Sequence, residues 1–304
     1  MGVTCLGHMN CAILPAIVTV LVLGSTGMLG SRVVEMFKQY EFNVYSTSRN
    51  GSNSRDLAFE ARRQGVDECV SKAGIRPDYI VNAIGVIKPR INEKSAESVM
   101  NAVGVNAMFP GELAEYASKT GAKVIQIATD CVYSGTRGSY VESDAHDPLD
   151  VYGKTKSLGE VPSPVVMHIR ASIIGPEQGR ATSLWEWVRK QPPRAEVNGY
   201  LNHHWNGVTT DAFADVCAGV IKNNRFVSGV IHLVPQDVVT KFELVRLIAD
   251  RSGRHDLAVL PTSPGSAVNR TLSTENDEIN RALWSDSSYG SRPSIAKMIE
   301  RAVV

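Results

Sequence analysis

The 304-residue sequence has no excess of charge of either sign, because 32 lysines and arginines stand against 31 aspartates and glutamates. A chain without a basic excess has no bulk field that would draw it to nucleic acid or to an anionic membrane. We therefore expect neither partner. The sequence also has no internal repeat and no low-complexity tract, which argues against a repeat architecture or a long disordered region.

Cysteine is scarce as well: the sequence has five, an odd count, and they are widely spaced. Their spacing matches neither a zinc motif nor a disulfide framework, so we expect no metal site. Few unpaired cysteines are typical of a reducing compartment, and the predicted location is the cytoplasm. The five are Cys5, Cys11, Cys69, Cys131 and Cys217.

Long apolar runs are missing too. The run AILPAIVTVLVL, residues 12–23, is only a dozen residues long, whereas a membrane-spanning helix needs about 20. No basic segment precedes it, as a signal peptide would require. We expect residues 1–16 to be a flexible leader and residues 17–23 to form a buried strand.

Apolar strand patterns alternate with longer helical patterns through the first half of the chain. Strands are predicted at residues 17–23, 42–47, 79–84, 123–128 and 165–170, and helices at 27–40, at 95–119 with an interruption near Pro110, and around Tyr152. Continuous apolar strands separated by helices indicate a parallel sheet covered on both faces. The predicted fold is α/β, a Rossmann-type doubly wound parallel sheet with a smaller C-terminal lobe.

Prolines and glycines break this rhythm after Arg170. Further helices are predicted at residues 184–190, 210–222, 241–252 and 293–302, and a strand at 230–234. We expect an NADP-binding Rossmann domain and a substrate-binding lobe that share the chain between them. The first comprises residues 17–175 with 207–235 returning to it, and the second comprises 176–206 and 236–304.

The segment GSTGMLG directly follows the first predicted strand and opens the first predicted helix. This is the context in which a glycine triplet binds the phosphates of a dinucleotide. The glycines allow a tight turn and a close approach of the backbone, and the helix N-terminus faces the anion. A turn without a ligand is the alternative. The candidate cofactor-binding residues here are Gly24, Thr26, Gly27, Met28, Leu29 and Gly30.

The end of the second predicted strand, YSTSRN, carries Ser48 and Arg49 and no acid. An acid there suits the ribose of NAD, and an arginine suits the 2′-phosphate of NADP, so we expect NADP(H). Arg32 offers a second cation, unless both arginines are simply solvated. We expect Asp56 and Leu57 beside the adenine, with a helix N-cap at Asp56 as the open alternative.

Tyr152 and Lys156, in VYGKTK, are four residues apart and therefore share one face of a helix. A lysine cation about 4 Å from a phenol is worth roughly 4 kcal/mol at an effective dielectric near 20. That corresponds to about three pKa units, enough to bring a tyrosine from about 10 toward neutral pH. A solvated helix surface is the alternative, and the phosphate-binding segment upstream favours catalysis.

Four segments carry a family resemblance. GSTGMLG, VNAIG (81–85), ATDCVYSG (128–135) and VYGKTKSLGE (151–160) occur in this order. The chain resembles extended short-chain dehydrogenases/reductases, and within them the dTDP-4-dehydrorhamnose reductases and related nucleotide-sugar 4-ketoreductases. The resemblance covers residues 17–235 and is looser beyond them.

The resemblance implies a mechanism in which Tyr152 gives its proton to a carbonyl oxygen while NADPH delivers hydride to the carbon. Lys156 would also hold the nicotinamide ribose, and Thr129 would orient the substrate oxygen. Further implied cofactor contacts are Ala83, Gly85 and Asn106. The amide of Asn106 would support either the local backbone or a proton-relay water.

One departure from the resembling dehydratases refines the expected reaction. Those enzymes carry Asp and then Glu after the threonine, whereas Asp130 is followed here by Cys131. Without the second carboxylate, ketone reduction is favoured over loss of water. The expected reaction is NADPH-dependent reduction of the C4 ketone of a nucleotide-linked 4-keto-6-deoxyhexose, as in the synthesis of dTDP- or UDP-rhamnose.

The substrate-binding candidates combine the strand end with a polar segment of the second half, YLNHHWNGVTT. They are Lys88, Thr129, Asp130, Asn202, His203, Trp205 and Asn206. Lys88 and Arg90 follow the VNAIG turn and could face a substrate diphosphate, with ordinary surface charge as the alternative. For the last four residues the alternative is a merely structural loop. The expected partners are a nucleotide sugar and a second copy of the chain in a homodimer. Two other functions stay open, a nucleotide-sugar epimerase and a silent NADP-binding subunit resembling the methionine adenosyltransferase β subunit.

Overall fold

The computed structural model describes residues 17–177 and 183–304. The predicted leader, residues 1–16, lies outside the described residues, as do residues 178–182 of the predicted substrate lobe. In the described part of the chain, no helix has both the length and the apolar character needed to cross a membrane.

Fourteen strands and ten α-helices make up the described residues. In chain order the strands are β1 (Thr19–Leu23), β2 (Asn43–Ser48), β3 (Asp56–Ala58), β4 (Tyr79–Asn82), β5 (Lys123–Ala128), β6 (Val166–Arg170), β7 (Ile173–Ile174), β8 (Glu196–Tyr200), β9 (His203–Trp205), β10 (Val208–Thr209), β11 (Gly229–His232), β12 (Val239–Thr240), β13 (Ala258–Thr262) and β14 (Val268–Asn269). The helices are α1 (Met28–Gln39), α2 (Val66–Ala73), α3 (Ala96–Val103), α4 (Phe109–Thr120), α5 (Val151–Leu158), α6 (Leu184–Arg189), α7 (Thr210–Lys222), α8 (Lys241–Arg251), α9 (Asp277–Ser285) and α10 (Ile295–Arg301).

Seven of the strands form one parallel sheet in the order β11-β6-β5-β4-β1-β2-β3. The chain leaves β1 toward β2 and β3 and then crosses back to β4 on the other side. In an open α/β sheet this reversal creates a crevice at the carboxyl ends of the two strands, where ligands bind. The predicted Rossmann-type α/β fold is confirmed.

Strand β1 shows why the sheet is covered on both faces. Successive side chains of a strand point to opposite faces. Val20 and Val22 enter a core that includes Val33 of α1 and most of α7. Leu21 and Leu23 enter a second core that includes Leu113 of α4. The uninterrupted apolar run therefore reflects two buried faces, as predicted.

The long helix predicted over residues 95–119 is interrupted just before Pro110, close to the expected place. A π-helical turn over Gly104–Met108 separates α3 from α4. Pro110 lies in the first turn of α4, where its missing N–H group costs no helical hydrogen bond. The proline therefore begins a helix, and the wide turn before it makes the interruption.

Three small sheets, β7–β10, β8–β13 and β9 between β12 and β14, complete the structure. Helix α8 begins at a capping box, because Thr240 and Glu243 exchange side-chain and backbone hydrogen bonds. Helix α7 belongs to the main body, since it packs along α1 and is buried from Thr210 to Ile221.

Candidate functional site

The glycine turn closes tightly beneath the first helix. Gly24 has φ +85°, a left-handed conformation that favours glycine, and the Gly27 N–H donates to its carbonyl at 3.1 Å. A β-carbon at Gly30 would lie 2.1 Å from the same Gly24 oxygen, so only glycine fits there. The turn thus brings backbone and helix N-terminus to the crevice between β1 and β4. Gly27, Met28 and Leu29 line the cleft there, and Thr26 is exposed.

The end of β2 has no acidic residue in its own sequence, but the fold brings a carboxylate, that of Asp56, against Ser48. Asp56 begins β3 and accepts hydrogen bonds from the hydroxyls of Ser48 (2.8 Å), Ser46 (2.9 Å) and Ser25 (3.1 Å). Although burial raises the pKa of Asp56, these serine hydroxyls hold it below its ordinary value. The N-cap alternative for Asp56 fails, because it lies in a strand.

The two arginines considered for the 2′-phosphate lie in different surroundings. Arg49 is exposed and lines an outer groove of about 910 Å³ together with Leu57. Arg32 instead pairs with Asp211 of α7 and with Glu35. The expected second cation is therefore used by two carboxylates, because α7 packs directly on α1.

The loop after β4 carries three of the predicted cofactor residues. Ala83 and Gly85 line the cleft. The Asn106 side chain is buried in the π-helical turn, where its oxygen accepts from the Val86 N–H at 2.8 Å and its nitrogen donates to the Val86 carbonyl at 2.9 Å. That nitrogen also lies 3.2 Å from the Thr155 hydroxyl. The Asn106 amide therefore positions the loop and α5, which matches its backbone-supporting role and leaves it outside the lining of the cleft.

Tyr152 and Thr129 meet where β5 ends and α5 begins. Asp150 caps α5 by accepting the Gly153 N–H at 2.8 Å. A β-carbon at Gly153 would lie 2.3 Å from the Cys131 carbonyl oxygen, so the glycine allows α5 to pack against the turn after β5. This close packing leaves Tyr152 half-buried, and both side chains line the same cleft.

The acidity of Tyr152 differs from the expectation. Burial raises the pKa of its phenol above the ordinary value, Cys131 and Asp130 add to the rise, and hydrogen bonding to Thr129 opposes it. The Lys156 ammonium donates to the Ile127 carbonyl oxygen at 2.8 Å. Burial lowers the pKa of Lys156 to about 8 against an opposing effect of Glu160. Desolvation, and not the expected lysine effect, is therefore the largest influence on the pKa of the phenol, which keeps its proton at neutral pH.

The cleft has a volume of about 670 Å³ and joins the glycine turn to the C-terminal lobe. On the lobe side its wall includes Trp205, whose indole N–H donates to the Ser172 hydroxyl at 2.8 Å. Asp130 and Cys131 line the same cleft, and burial raises the pKa of the Cys131 thiol to about 12. The thiol is thus a neutral side chain at neutral pH.

Four predicted substrate residues lie outside the lining of this cleft, and their side chains contact other parts of the fold. Lys88 pairs with Asp150 at 2.8 Å. The Asn206 amide is satisfied by the backbone of Leu272 at 2.7 and 2.9 Å. The Asn202 amide donates to the Pro264 carbonyl, and His203 packs edge-on against the Tyr200 ring. Of the seven candidates, the structure brings three into the cleft lining, namely Thr129, Asp130 and Trp205.

A charged residue of the cleft that the sequence did not indicate is Lys241. It is the first residue of α8, and it reaches the cleft wall because β12 pairs with β9 and brings it beside Trp205. Its place before an amphipathic helix was no signal of a ligand site. Arg90, considered with Lys88 after VNAIG, lines the cleft from the 3₁₀ turn after β4, whereas Lys88 does not.

The chain is similar in sequence to two groups of proteins, the β subunits of methionine adenosyltransferase 2 and the dTDP-4-dehydrorhamnose reductases. It is 28% identical over 246 residues to methionine adenosyltransferase 2 subunit beta of Danio rerio, covering 76% of this chain and 73% of the relative. It is 26% identical over 289 residues to dTDP-4-dehydrorhamnose reductase of Escherichia coli K12, covering 87% and 92%. The fold is also that of dTDP-4-dehydrorhamnose reductase from Bacillus anthracis in complex with NADP, with TM-score 0.72, 19% identity and coverage of 93% and 98%.

A second solved neighbour, MoeE5 in complex with UDP-glucose and NAD, has TM-score 0.70 and 18% identity over 92% of this chain and 96% of its own. The model of the RmlD substrate-binding domain matches residues 18–293, which include both sides of the cleft. The resemblance expected from the four motifs is confirmed, and the chain belongs to the RmlD substrate-binding domain family.

Proposed function

We propose that the chain is an NADPH-dependent reductase of the C4 ketone of a nucleotide-linked 4-keto-6-deoxyhexose. The observation that carries the proposal is the lining of one cleft by Thr129, Tyr152, Lys156 and the glycine turn. A hydride donor, a proton donor and a group that orients the ketone oxygen are what such a reduction requires. The similarity to dTDP-4-dehydrorhamnose reductase over 92% of that enzyme supports this substrate class.

The residues present fit a dinucleotide at the glycine end of the cleft. The Gly24–Gly30 contact leaves the backbone and the N-terminus of α1 free to approach phosphate oxygens. Lys156, Ala83 and Gly85 would hold the nicotinamide half. NADPH, when bound, supplies the hydride for the ketone carbon. Exposed Arg49 would select the 2′-phosphate from the groove that it shares with Asp56, whose carboxylate accepts hydrogen bonds from three serine hydroxyls.

The protein side chains would supply the one proton that the reduction needs. Thr129 would hydrogen-bond the ketone oxygen, and the Tyr152 O–H would transfer its proton to that oxygen as the carbon–oxygen double bond becomes a single bond. A phenol with a raised pKa is protonated when the ketone arrives. The charged Lys156 ammonium, near a phenolate that forms, would stabilise it electrostatically. Cys131 offers no second carboxylate for loss of water.

The organisation expected from the sequence remains part of the proposal. Residues 17–175 and 207–235 would bind the cofactor, and residues 176–206 and 236–304 would hold the nucleotide sugar. The cytoplasm is the proposed compartment, in keeping with the few scattered cysteines. A homodimer is the proposed assembly.

The test is consumption of NADPH, followed by its absorbance, on addition of dTDP- and UDP-linked 4-keto-6-deoxyhexoses. We expect reduction of at least one of them, with the configuration of the new alcohol determined by NMR. If every sugar of the panel binds and none is reduced, the reductase proposal fails.

A second function is supported by the similarity to methionine adenosyltransferase 2 subunit beta over 76% of the chain. In that case the chain would bind NADP(H) and act as a subunit of another enzyme without turnover of its own. The same assay separates the two, because such a subunit would bind NADPH and leave every ketone unchanged. Pull-down of a methionine adenosyltransferase by the purified chain would then support it.

A further inference from the structure

One cation of the cleft has no role in the proton and hydride chemistry. Lys241 is half-buried, and its ammonium lies 5.5 Å from the centroid of the Trp205 ring. It lines the same cleft as Thr129 and Tyr152. Burial lowers the pKa of Lys241 to about 8. The side chain is therefore mostly charged at neutral pH.

This charge lacks a close partner. Within residues 17–177 and 183–304, the Lys241 side chain forms neither an ion pair nor a hydrogen bond. Its cation–π contact with the Trp205 ring is the one direct interaction of the ammonium there. Two other lysines of the region differ, since Lys88 pairs with Asp150 and Lys156 donates to a carbonyl. The Lys241 ammonium thus has no ion pair or hydrogen bond within the described residues of the kind that holds Lys88 and Lys156.

Three neighbouring groups act on Lys241 through space. The Asp130 carboxylate and the thiolate form of Cys131 favour the charged form of Lys241. Arg270 disfavours it. The Cys131 thiol is neutral at neutral pH, so Asp130 is the neighbour that favours the charge there. The Asp130 carboxylate is itself buried, and burial raises its pKa. Arg270 opposes this rise more strongly than Lys241 does. The carboxylate therefore compensates the ammonium only in part.

The fold alone does not account for a cation at this place. A cation–π contact is worth about 0.5–2 kcal/mol. The half-buried ammonium has lost part of its hydration, and an opposite charge or a hydrogen bond would offset that loss. A ligand oxygen with negative charge would supply that opposite charge. Arg90, on the same cleft, adds a second positive side chain.

We propose that Lys241 is a specificity-determining residue that binds an anionic oxygen of the substrate, phosphoryl or carboxyl, so that the cleft selects charged nucleotide-linked substrates over neutral ketones. The proposal deepens the function proposed above and rests on it for the identity of the cleft. It involves no bond-making or bond-breaking step.

The test is calorimetric titration of the NADPH-saturated protein with UDP, dTDP and UDP-glucuronic acid at pH 8, in two buffers of different ionisation enthalpy. An anion beside Lys241 favours its protonated form, so we expect uptake of a fraction of a proton on binding. Uptake with UDP or dTDP assigns the anionic oxygen to a phosphate. Uptake with UDP-glucuronic acid alone assigns it to a carboxylate.

Two variants at the position make the test specific. Lys241→Met should abolish the proton uptake and raise the Kd by about tenfold or more, which is about 1.4 kcal/mol. Lys241→Arg should keep most of the affinity and abolish the uptake, because arginine stays protonated. Lys297→Met, which removes an exposed lysine of α10, should behave like the wild type. Thermal unfolding checks that each variant is folded.

Two results would overturn the proposal. They are an unchanged Kd in folded Lys241→Met and proton uptake that persists in Lys241→Arg. The outcome is separable from the reductase assay. Binding with proton uptake but without reduction refutes the proposed reaction alone, and reduction with an unchanged KM in Lys241→Met refutes the Lys241 proposal alone.

Discussion

The guanidinium of Arg170 lies 2.6 Å from Nε2 of His232, with both side chains fully buried beneath the cleft. Because a guanidinium can only donate, Nε2 must be the acceptor, and the proton lies on Nδ1, which donates to the Ser273 carbonyl at 2.6 Å. Arg170 donates in the same way to Nε2 of His146 at 2.8 Å and is paired with Glu160. Both histidines are therefore neutral in the folded protein.

This arrangement predicts a loss of stability on mild acidification. Burial, and next the Arg170 charge, lower the pKa of His232, while burial lowers that of His146 against Glu160. In the unfolded chain both histidines have the ordinary pKa of about 6.5. Below that pH the unfolded chain binds protons that the folded chain does not, so the free energy of unfolding falls toward acid. Each histidine contributes up to about 1.4 kcal/mol per pH unit.

Urea unfolding at pH 7.5 and 5.5 measures this dependence. His232→Gln should reduce the difference between the two pH values, and His255→Gln should preserve it, since His255 is exposed. Equal pH dependence in the wild type and His232→Gln would show that His232 is not held neutral by its surroundings.

The Tyr152 phenol predicts a separation of catalysis from binding. Tyr152→Phe removes the proposed proton donor and leaves the ring packing intact, so turnover should fall by at least about 10²-fold. The Kd for NADPH should change little, because the hydroxyl faces Thr129 and not the glycine turn. Tyr116→Phe on α4 serves as the matched control with normal turnover. Near-normal turnover in Tyr152→Phe would remove the tyrosine from the mechanism.

Exposed Arg49 predicts the choice of cofactor. NADPH should bind at least about tenfold more tightly than NADH, a difference of about 1.4 kcal/mol that is modest for a charge-assisted phosphate contact. Arg49→Ala should narrow the ratio by weakening NADPH alone, whereas Lys190→Ala, which also removes one exposed positive charge, should keep it. Calorimetry with both cofactors measures the ratio, and equal affinities in the wild type would contradict the prediction.

The contact between Gly30 and Gly24 predicts a strict requirement for glycine. In Gly30→Ala the new methyl group would meet the Gly24 carbonyl oxygen at 2.1 Å and its carbon at 2.8 Å. Backbone cannot yield as a side chain does, so α1 must shift, and NADPH binding should weaken by about tenfold or more. Gly111→Ala in α4 is the control, because its nearest neighbour would be Val161 at 3.9 Å. Unchanged NADPH affinity in Gly30→Ala would show that the turn is not used.

The sequence predicted best those features that depend on neighbours along the chain. Strand β5 and helix α7 have the bounds expected from their apolar patterns, Lys123–Ala128 and Thr210–Lys222. The glycine turn and the Tyr152 face of α5 also followed from local spacing, and the structure brings both to one cleft.

Features made by distant pairing could not be predicted in this way. Asn206 was expected to bind substrate, but its amide is satisfied by the backbone of a residue 66 positions away. The serines that surround Asp56 converge because β2, which carries Ser46 and Ser48, pairs with β3 on one side and with β1, which Ser25 follows, on the other. Lys241 faces the cleft only because β12 joins β9. Local composition carries no information about which strands will pair.

Helix α7 has a consequence for how the protein can be divided. It follows the cleft wall in sequence, yet it lies along α1, is buried through Ile221, and supplies Asp211 to Arg32. A fragment that stops at residue 175 would keep the glycine motif and the tyrosine–lysine pair but would expose the apolar side of α1 and lose the edge strand β11. Such a fragment should aggregate on expression, and the cofactor half should be recoverable only together with the chain that follows it.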